Sequence, residues 1–569
     1  MIKSLRDPWL GVAVGLAVAL RLYGLDHGLP HVYNPDEANI MARSLAVAQG
    51  LDPGYYLYPS LLFYLLFGVM GGLFVFGRLV GRYDDLGAFQ RLFFEDPTDF
   101  YLTGRLFGVA CAVATIGLTY WLAARHFGKP VARVAALLMA VCYHHVRDAH
   151  YIKHDVPAGL VVILTLIALD RAMEQPDKKR LSILGAVVGV GFALHYYMIF
   201  LAVLVVVVHL AVHGRRSVSR GLDLVLVGSV ASVVFCLMSP FVVIHFPTAL
   251  EHMSANRQVV VDRSLDAGSW FPSLPAYARF MLGQAYGYGW CLLMLLGFGA
   301  MLRSGPRRVA VWFGFVAPFV LFIGYTFFAG RYLNPIVAPL CVAAAVGLGE
   351  VARRTGWKIA GAIAIVASVQ PAIASLHSGR LFAAPDTRTL AREWVVTQIE
   401  SGSHLALQSY SVPVPRSARD LRGALESNEA ADELDRRGKF SFLVEAARDR
   451  KPSYSVTFLG SGDEKDRVYI PYASFQRGLA PLAQRGIRIL VLKYPPSAIP
   501  PELDPLFGLA STEARLVHRV SPFALAEPAV VTHPYLDNED WPVHGGLRHK
   551  GPLIEIYELP RVPTPGSAP

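Results

Sequence analysis

Charge is scarce in this 569-residue chain: Asp, Glu, Lys and Arg make up 17% of it, against about 25% in soluble domains. No sustained heptad, Gly-X-Y period or solenoid-type repeat runs through the sequence, which excludes coiled coil, collagen and repeat arrays. Cysteine is sparse as well. Cys111, Cys142, Cys236, Cys291 and Cys341 all lie in apolar stretches and none falls in the polar C-terminal region, which argues against a disulfide framework. Apolar residues are abundant instead, at 53% of the chain with a mean hydropathy of +0.39. A bilayer-spanning helix needs about 20 mostly apolar residues, and such runs recur from Leu10 to Ile373. The chain therefore reads as a polytopic α-helical membrane protein.

The formal charge of +10 is spread over short loops between apolar runs rather than along one stripe. That pattern marks cytoplasmic loops rather than a nucleic-acid surface. Spans are expected near residues 9–26, 101–124, 131–146, 156–173, 181–195, 197–212, 221–244, 276–302, 309–328, 333–350 and 358–376. Lys3 and Arg6 precede the first run without a small-residue cleavage site, so that run is read as a retained span. The segment Tyr58–Val80 is apolar enough to cross by itself, yet counting it would invert the orientation of every later basic cluster. A juxtamembrane or re-entrant helix inside a long first external loop, residues 27–100, is the expectation. Residues 1–376 then form a transmembrane domain.

From residue 377 to 569 long apolar runs stop, while proline and charge rise. An extracytoplasmic α/β domain is expected there. Asp386 is placed to cap a helix through Leu390, Trp394, Val395 and Ile399, and strands are expected at residues 404–409, 487–493 and 553–559. The tail 560–569 is expected to lack structure.

Four polar groups interrupt the apolar pattern. Pro35-Asp36-Glu37 follows the first span; its acids could serve as a general base with an orienting partner, or simply favour the first turn of a helix. Arg147 to Asp155 crowds cations, histidines and carboxylates between two spans, where ionisable groups are costly, although a solvated loop would carry them too. Glu251-His252 are candidates for a divalent metal, set against the plain reading of surface polarity. Gly330-Arg331-Tyr332-Leu333-Asn334-Pro335 puts an arginine on an inter-span turn, suited to gripping a phosphate or to anchoring at the headgroup level. Gly185 to Gly191 resembles a glycine-rich loop but lies inside a span, which favours close helix packing over nucleotide binding. His533, Asp537, Glu539, Asp540, His544 and His549 are metal-ligand types without a recognised spacing.

In order along residues 5–400, these features resemble the lipid-phosphate-sugar-dependent glycosyltransferases of the GT-C superfamily, especially the protein O-mannosyltransferase and lipid A aminoarabinose transferase relatives. Pro35-Asp36-Glu37 is similar to the acidic motif of their first external loop. Tyr58-Pro59-Ser60-Leu61 resembles the proline-containing segment that follows, and Arg105 an arginine near the next span. Tyr151-Ile152 ahead of Asp155 resembles the approach to a second acidic position. Glu251-His252 and Arg331-Tyr332 with Pro335 fall where the family shows similar residues. Tyr58 departs from the family by standing where some relatives place a metal-binding acid or histidine, and Asp155 is a single acid rather than a longer motif.

The resemblance implies transfer of a sugar from a polyprenyl-phosphate carrier to a lipid, polysaccharide or protein acceptor at the extracytoplasmic face. It implies inversion, with Asp36 as base and Glu37 and Asp155 in the catalytic group. Arg331, Lys153 and Arg105 would bind the donor phosphate, and Tyr58, His154 and Tyr332 would orient the substrate. The one cofactor in question is a divalent metal, with Glu251 and His252 as its candidate ligands. The implied setting is the bacterial inner membrane, with site and C-terminal domain facing the periplasm or exterior. A secondary transporter or lipid flippase is the alternative, which would call for ionisable residues near the bilayer midplane and repeated halves.

Overall fold

The computed structural model describes residues 7–214, 220–258, 271–426, 441–462, 466–475, 478–494, 503–523 and 546–560. The tail from residue 561 and the acidic and histidine cluster from His533 to His544 lie outside them. By contact density the chain divides into two units. One comprises Met1–Leu25, Asp36–Leu73 and Tyr101–Arg380; the other comprises Asp26–Pro35, Phe74–Phe100 and Leu381–Pro569.

The first unit is helical. Among the described residues, seven helical segments are long and apolar enough to cross a membrane, and nine when each of two bent pairs is taken as one span. Every expected span falls on helical structure, with 276–302 and 309–328 each falling on a bent pair of helices. Three are short: Pro8–Leu22, Lys129–Val141 and Lys178–Leu194, of 15, 13 and 17 residues. Leu61–Leu79 is a continuous 19-residue apolar helix and by length and hydropathy can cross by itself. The pair Leu274–Ala285 and Gly287–Arg303 bends by 116° at Gly287, whose φ of +82° suits glycine.

Small residues let these helices approach closely. A Cβ on Gly185 would stand 2.6 Å from the carbonyl oxygen of Val227, and one on Gly189 2.5 Å from that of Ala231. The glycine-rich stretch is thus a helix seam between Lys178–Leu194 and Gly221–Met238.

The second unit contains an α/β fold. Among the described residues its sheet has six strands: β1 His404–Gln408, β2 Ser455–Leu459, β3 Tyr469–Ile470, β4 Ile489–Lys493, β5 Arg515–Val520 and β6 Ile554–Glu558. Their order is β3-β2-β1-β4-β6-β5. The first four run parallel, while β6 pairs antiparallel with β4 and β5. Alternate residues of β1 and β4 feed two apolar layers: Leu405, Leu407, Ile489 and Val491 on one face, Ala406, Leu490 and Leu492 on the other. Such two-sided burial is what parallel strands require. Asp386 caps the helix Thr387–Gln398 as expected, accepting from the Arg388 N–H, and the three expected strands match β1, β4 and β6.

Candidate active site

Two loops and two helix starts of the first unit meet in one pocket. Asp36 is the second residue of the helix Pro35–Ala46. Asp155 opens the helix Asp155–Glu174, with His154 at its N-cap position. Arg331 and Tyr332 sit on the turn Gly330–Ile336. With Tyr58, Lys153 and His154, these residues line the pocket.

The local sequence explains why the pieces converge. A Cβ on Gly159 would lie 2.8 Å from the carbonyl oxygen of Asn334, so glycine lets the helix bearing Asp155 seat directly on the turn bearing Arg331. Asn334 holds that turn from inside, donating to its own Arg331 carbonyl at 2.9 Å and to Asp148 Oδ2 at 2.6 Å. Asp148 in turn accepts from Arg147 Nε at 2.6 Å. The turn is therefore tied to the loop that ends in Lys153, His154 and Asp155.

Opposite charges pair within the pocket. Lys153 Nζ stands 2.8 Å from Asp36 Oδ2; the lysine is 5% exposed, the aspartate 45%. Arg331 Nε lies 3.6 Å from Asp155 Oδ2, and the Tyr197 hydroxyl donates to Asp155 Oδ1 at 3.2 Å. One wall is aromatic. Tyr58 stacks on His154 at 4.4 Å between ring centroids, and its edge meets His195 at 5.2 Å. Burial pushes the His154 imidazole down to about 3, helped by Lys153 and opposed by Asp36. Burial, His154 and Arg331 hold His195 well below the usual histidine value. Burial and then Asp36 raise the Tyr58 phenol. The wall is thus uncharged at neutral pH, while the opposite side carries acids and cations.

Two expected site residues are not part of the lining. Glu37, read as catalytic, is completely buried and receives Arg105 Nε and Nη2 in a two-pronged pair at 2.9 Å each. Arg105, read as a phosphate ligand, is spent on that pair and on the carbonyl of Leu25 at 2.8 Å. The reason is helical geometry: neighbours on a helix point about 100° apart. With Asp36 at the pocket, Glu37 faces inward. There it also accepts the Ile152 N–H at 3.1 Å, bracing the loop that carries Lys153. Glu37 and Arg105 are thus bound to each other and to backbone beside the pocket.

Glu251 and His252 also lie outside the lining. His252 Nδ1 accepts the Tyr56 N–H at 3.2 Å, and Glu251 is exposed. Among the described residues no group of three metal-ligand side chains gathers around them.

Sequence reasoning passed over Asn39, Tyr55, His195 and Tyr197. Asn39, Tyr55 and His195 line the pocket, and Tyr197 bonds Asp155 from behind. Asn39 was legible, because it follows Asp36 by three on one helix face. His195 and Tyr197 carried a weaker signal, a polar-aromatic break between two apolar runs.

Residues 89–244 match the family model described as dolichyl-phosphate-mannose-protein mannosyltransferase. No curated protein matches the sequence. The structure is similar to ArnT from Cupriavidus metallidurans bound to undecaprenyl phosphate, with a TM-score of 0.53, 16% identity, and coverage of 90% of this chain and 97% of that one. The apo form of the same enzyme matches with a TM-score of 0.51 and 14% identity over 90% and 96%. An archaeal oligosaccharyltransferase from Archaeoglobus fulgidus aligns more distantly, at 0.47 and 12% over 85% and 69%. The chain thus shares its fold with ArnT over nine-tenths of its length, and its segment 89–244 matches the mannosyltransferase family model.

Proposed function

We propose that the protein transfers a sugar from a polyprenyl-phosphate carrier to an acceptor hydroxyl, with Asp36 as general base and inversion at the anomeric carbon. The observation that carries this reading is the convergence of Asp36, Lys153, Asp155 and Arg331, from three separated stretches of chain, in one pocket. The undecaprenyl phosphate named with the similar ArnT structure is consistent with such a carrier.

The chemistry needs three things from these residues. Asp36, nearly half exposed, takes the proton from the incoming hydroxyl, a contribution worth roughly 10²–10⁴-fold in rate. The hydroxyl oxygen bonds to the anomeric carbon as that carbon's bond to the phosphate oxygen breaks. The electron pair leaves with the carrier phosphate, whose growing charge meets the largely buried Arg331 and Lys153. The anomeric carbon passes through an oxocarbenium-like state, and a single displacement inverts it. Asp155, held by Tyr197 and Arg331, keeps the guanidinium aimed. Tyr58, His154 and Tyr332 supply the uncharged wall against which the sugar rests. No step passes through a metal.

The site and the C-terminal unit would face the periplasm or exterior of an inner-membrane enzyme, where lipid-linked sugars meet lipid, polysaccharide or protein acceptors. The test is incubation of the purified protein with a labelled polyprenyl-phosphate sugar and a membrane extract as acceptor source. Transfer of the label with release of the carrier phosphate is expected; a donor bound but recovered intact would overturn the reading.

A further inference from the structure

The parallel part of the sheet carries a second candidate site, independent of the transferase reading. In the order β3-β2-β1-β4, the chain leaves β1 toward β2 on one side and returns to β4 on the other. In open sheets of this kind, ligands bind outside the carboxyl ends of the strands at the point where the order reverses. Here that point is the edge formed by Gln408 and Lys493. Gln408 Oε1 accepts the Lys493 N–H at 2.6 Å, and Ser411 Oγ donates to the Gln408 carbonyl at 2.5 Å.

Tyr410, between them, has a φ of +59°. Such a left-handed conformation is uncommon for a bulky side chain. The fold nonetheless holds this aromatic ring 49% exposed. Two cations approach the ring: the Arg467 guanidinium at 5.6 Å and the Lys493 ammonium at 5.7 Å. Arg467 also lies over Phe458 at 4.7 Å and directs Nη1 at Ser409 Oγ, 3.5 Å away. The nearby acid Asp466 is engaged by Arg416 at 3.2 Å.

We propose that this edge binds an anionic saccharide, with a pyranose face on Tyr410 and the sugar's carboxylate or phosphate received by Arg467 and Lys493. Aromatic rings offer flat apolar surface to the C–H face of a sugar. A planar guanidinium beside a point-charge ammonium suits an oxyanion. None of these residues lines the transfer pocket.

The test is calorimetric titration of the full-length protein in detergent with trigalacturonate, glucose 6-phosphate and neutral maltotriose. A charged probe is expected to bind at least tenfold more tightly than maltotriose. Binding of the uronate alone identifies a carboxylated saccharide, and of the phosphate alone a phosphorylated one; either supports the site. Tyr410→Ala and Lys493→Gln should each weaken binding tenfold or more, with Arg331→Ala leaving it unchanged. If Tyr410→Ala does not fold, Tyr410→Leu with Lys493→Gln decides the matter. The proposal falls if neither charged probe binds, if maltotriose binds equally well, if folded Lys493→Gln retains full affinity, or if Arg331→Ala abolishes binding.

Discussion

Lys153 Nζ lies 2.8 Å from Asp36 Oδ2, so the cation read as a phosphate ligand touches the carboxylate read as the base. The two are 117 positions apart, and the fold brings them together in one pocket. Asp36→Asn removes the proton acceptor while preserving size and hydrogen-bonding capacity. The expected result is a folded protein whose transfer rate falls by about 10²–10⁴-fold, measured by release of labelled carrier phosphate. Turnover near the parent rate would refute the base assignment.

Arg331 faces Asp155 at 3.6 Å from the turn opposite. Arg331→Ala should raise the KM for the lipid-linked donor by at least tenfold, with little change in that for the acceptor. Steady-state kinetics with each substrate varied in turn reads the difference. Unchanged donor affinity would remove Arg331 from the phosphate site.

Glu37 and Arg105 form a buried pair with additional backbone partners. Removing one member strands the other's charge in the interior, at a cost of about 3–5 kcal/mol. Glu37→Ala and Arg105→Ala should therefore lower thermal stability sharply, in contrast to Asp36→Asn. A Glu37→Ala protein as stable as the parent, yet inactive, would return Glu37 to the catalytic group.

His154 stays neutral in the folded protein until about pH 3, whereas an unfolded histidine takes up a proton near pH 6.5. Between these values the unfolded state binds more protons, so stability falls as pH falls through that window. His154→Phe keeps a ring against Tyr58 but cannot titrate. Its melting temperature should drop less than the parent's between pH 7.5 and 5, and equal drops would show that His154 is not held neutral.

Much of the architecture was legible because spans and strands are read from local patterns. Eleven apolar runs matched eleven helical stretches, and Asp386 capped its helix. Strands β2, β3 and β5 escaped notice. β5, Arg-Leu-Val-His-Arg-Val, has little buried surface, so its pattern is weak, and β2 is visible only as a partner of β1. Of the acids and cations that residue type singled out, Asp36, Lys153, Asp155 and Arg331 share the pocket, but residue type could not separate Asp36 from Glu37. Adjacent carboxylates have the same chemistry on paper, and which one faces the pocket depends on the rotation of a helix against its neighbours.

Hydropathy along the chain was enough to determine that this protein is built of apolar helices followed by an α/β region, since burial of about 20 consecutive apolar residues is a local requirement. Only the tertiary structure decided which charges work together. Gly159 seated on Asn334, and Glu37 locked to Arg105 and Ile152, bring three distant stretches to one pocket. Those contacts depend on how closely backbones approach in space, a quantity that no spacing along the chain encodes.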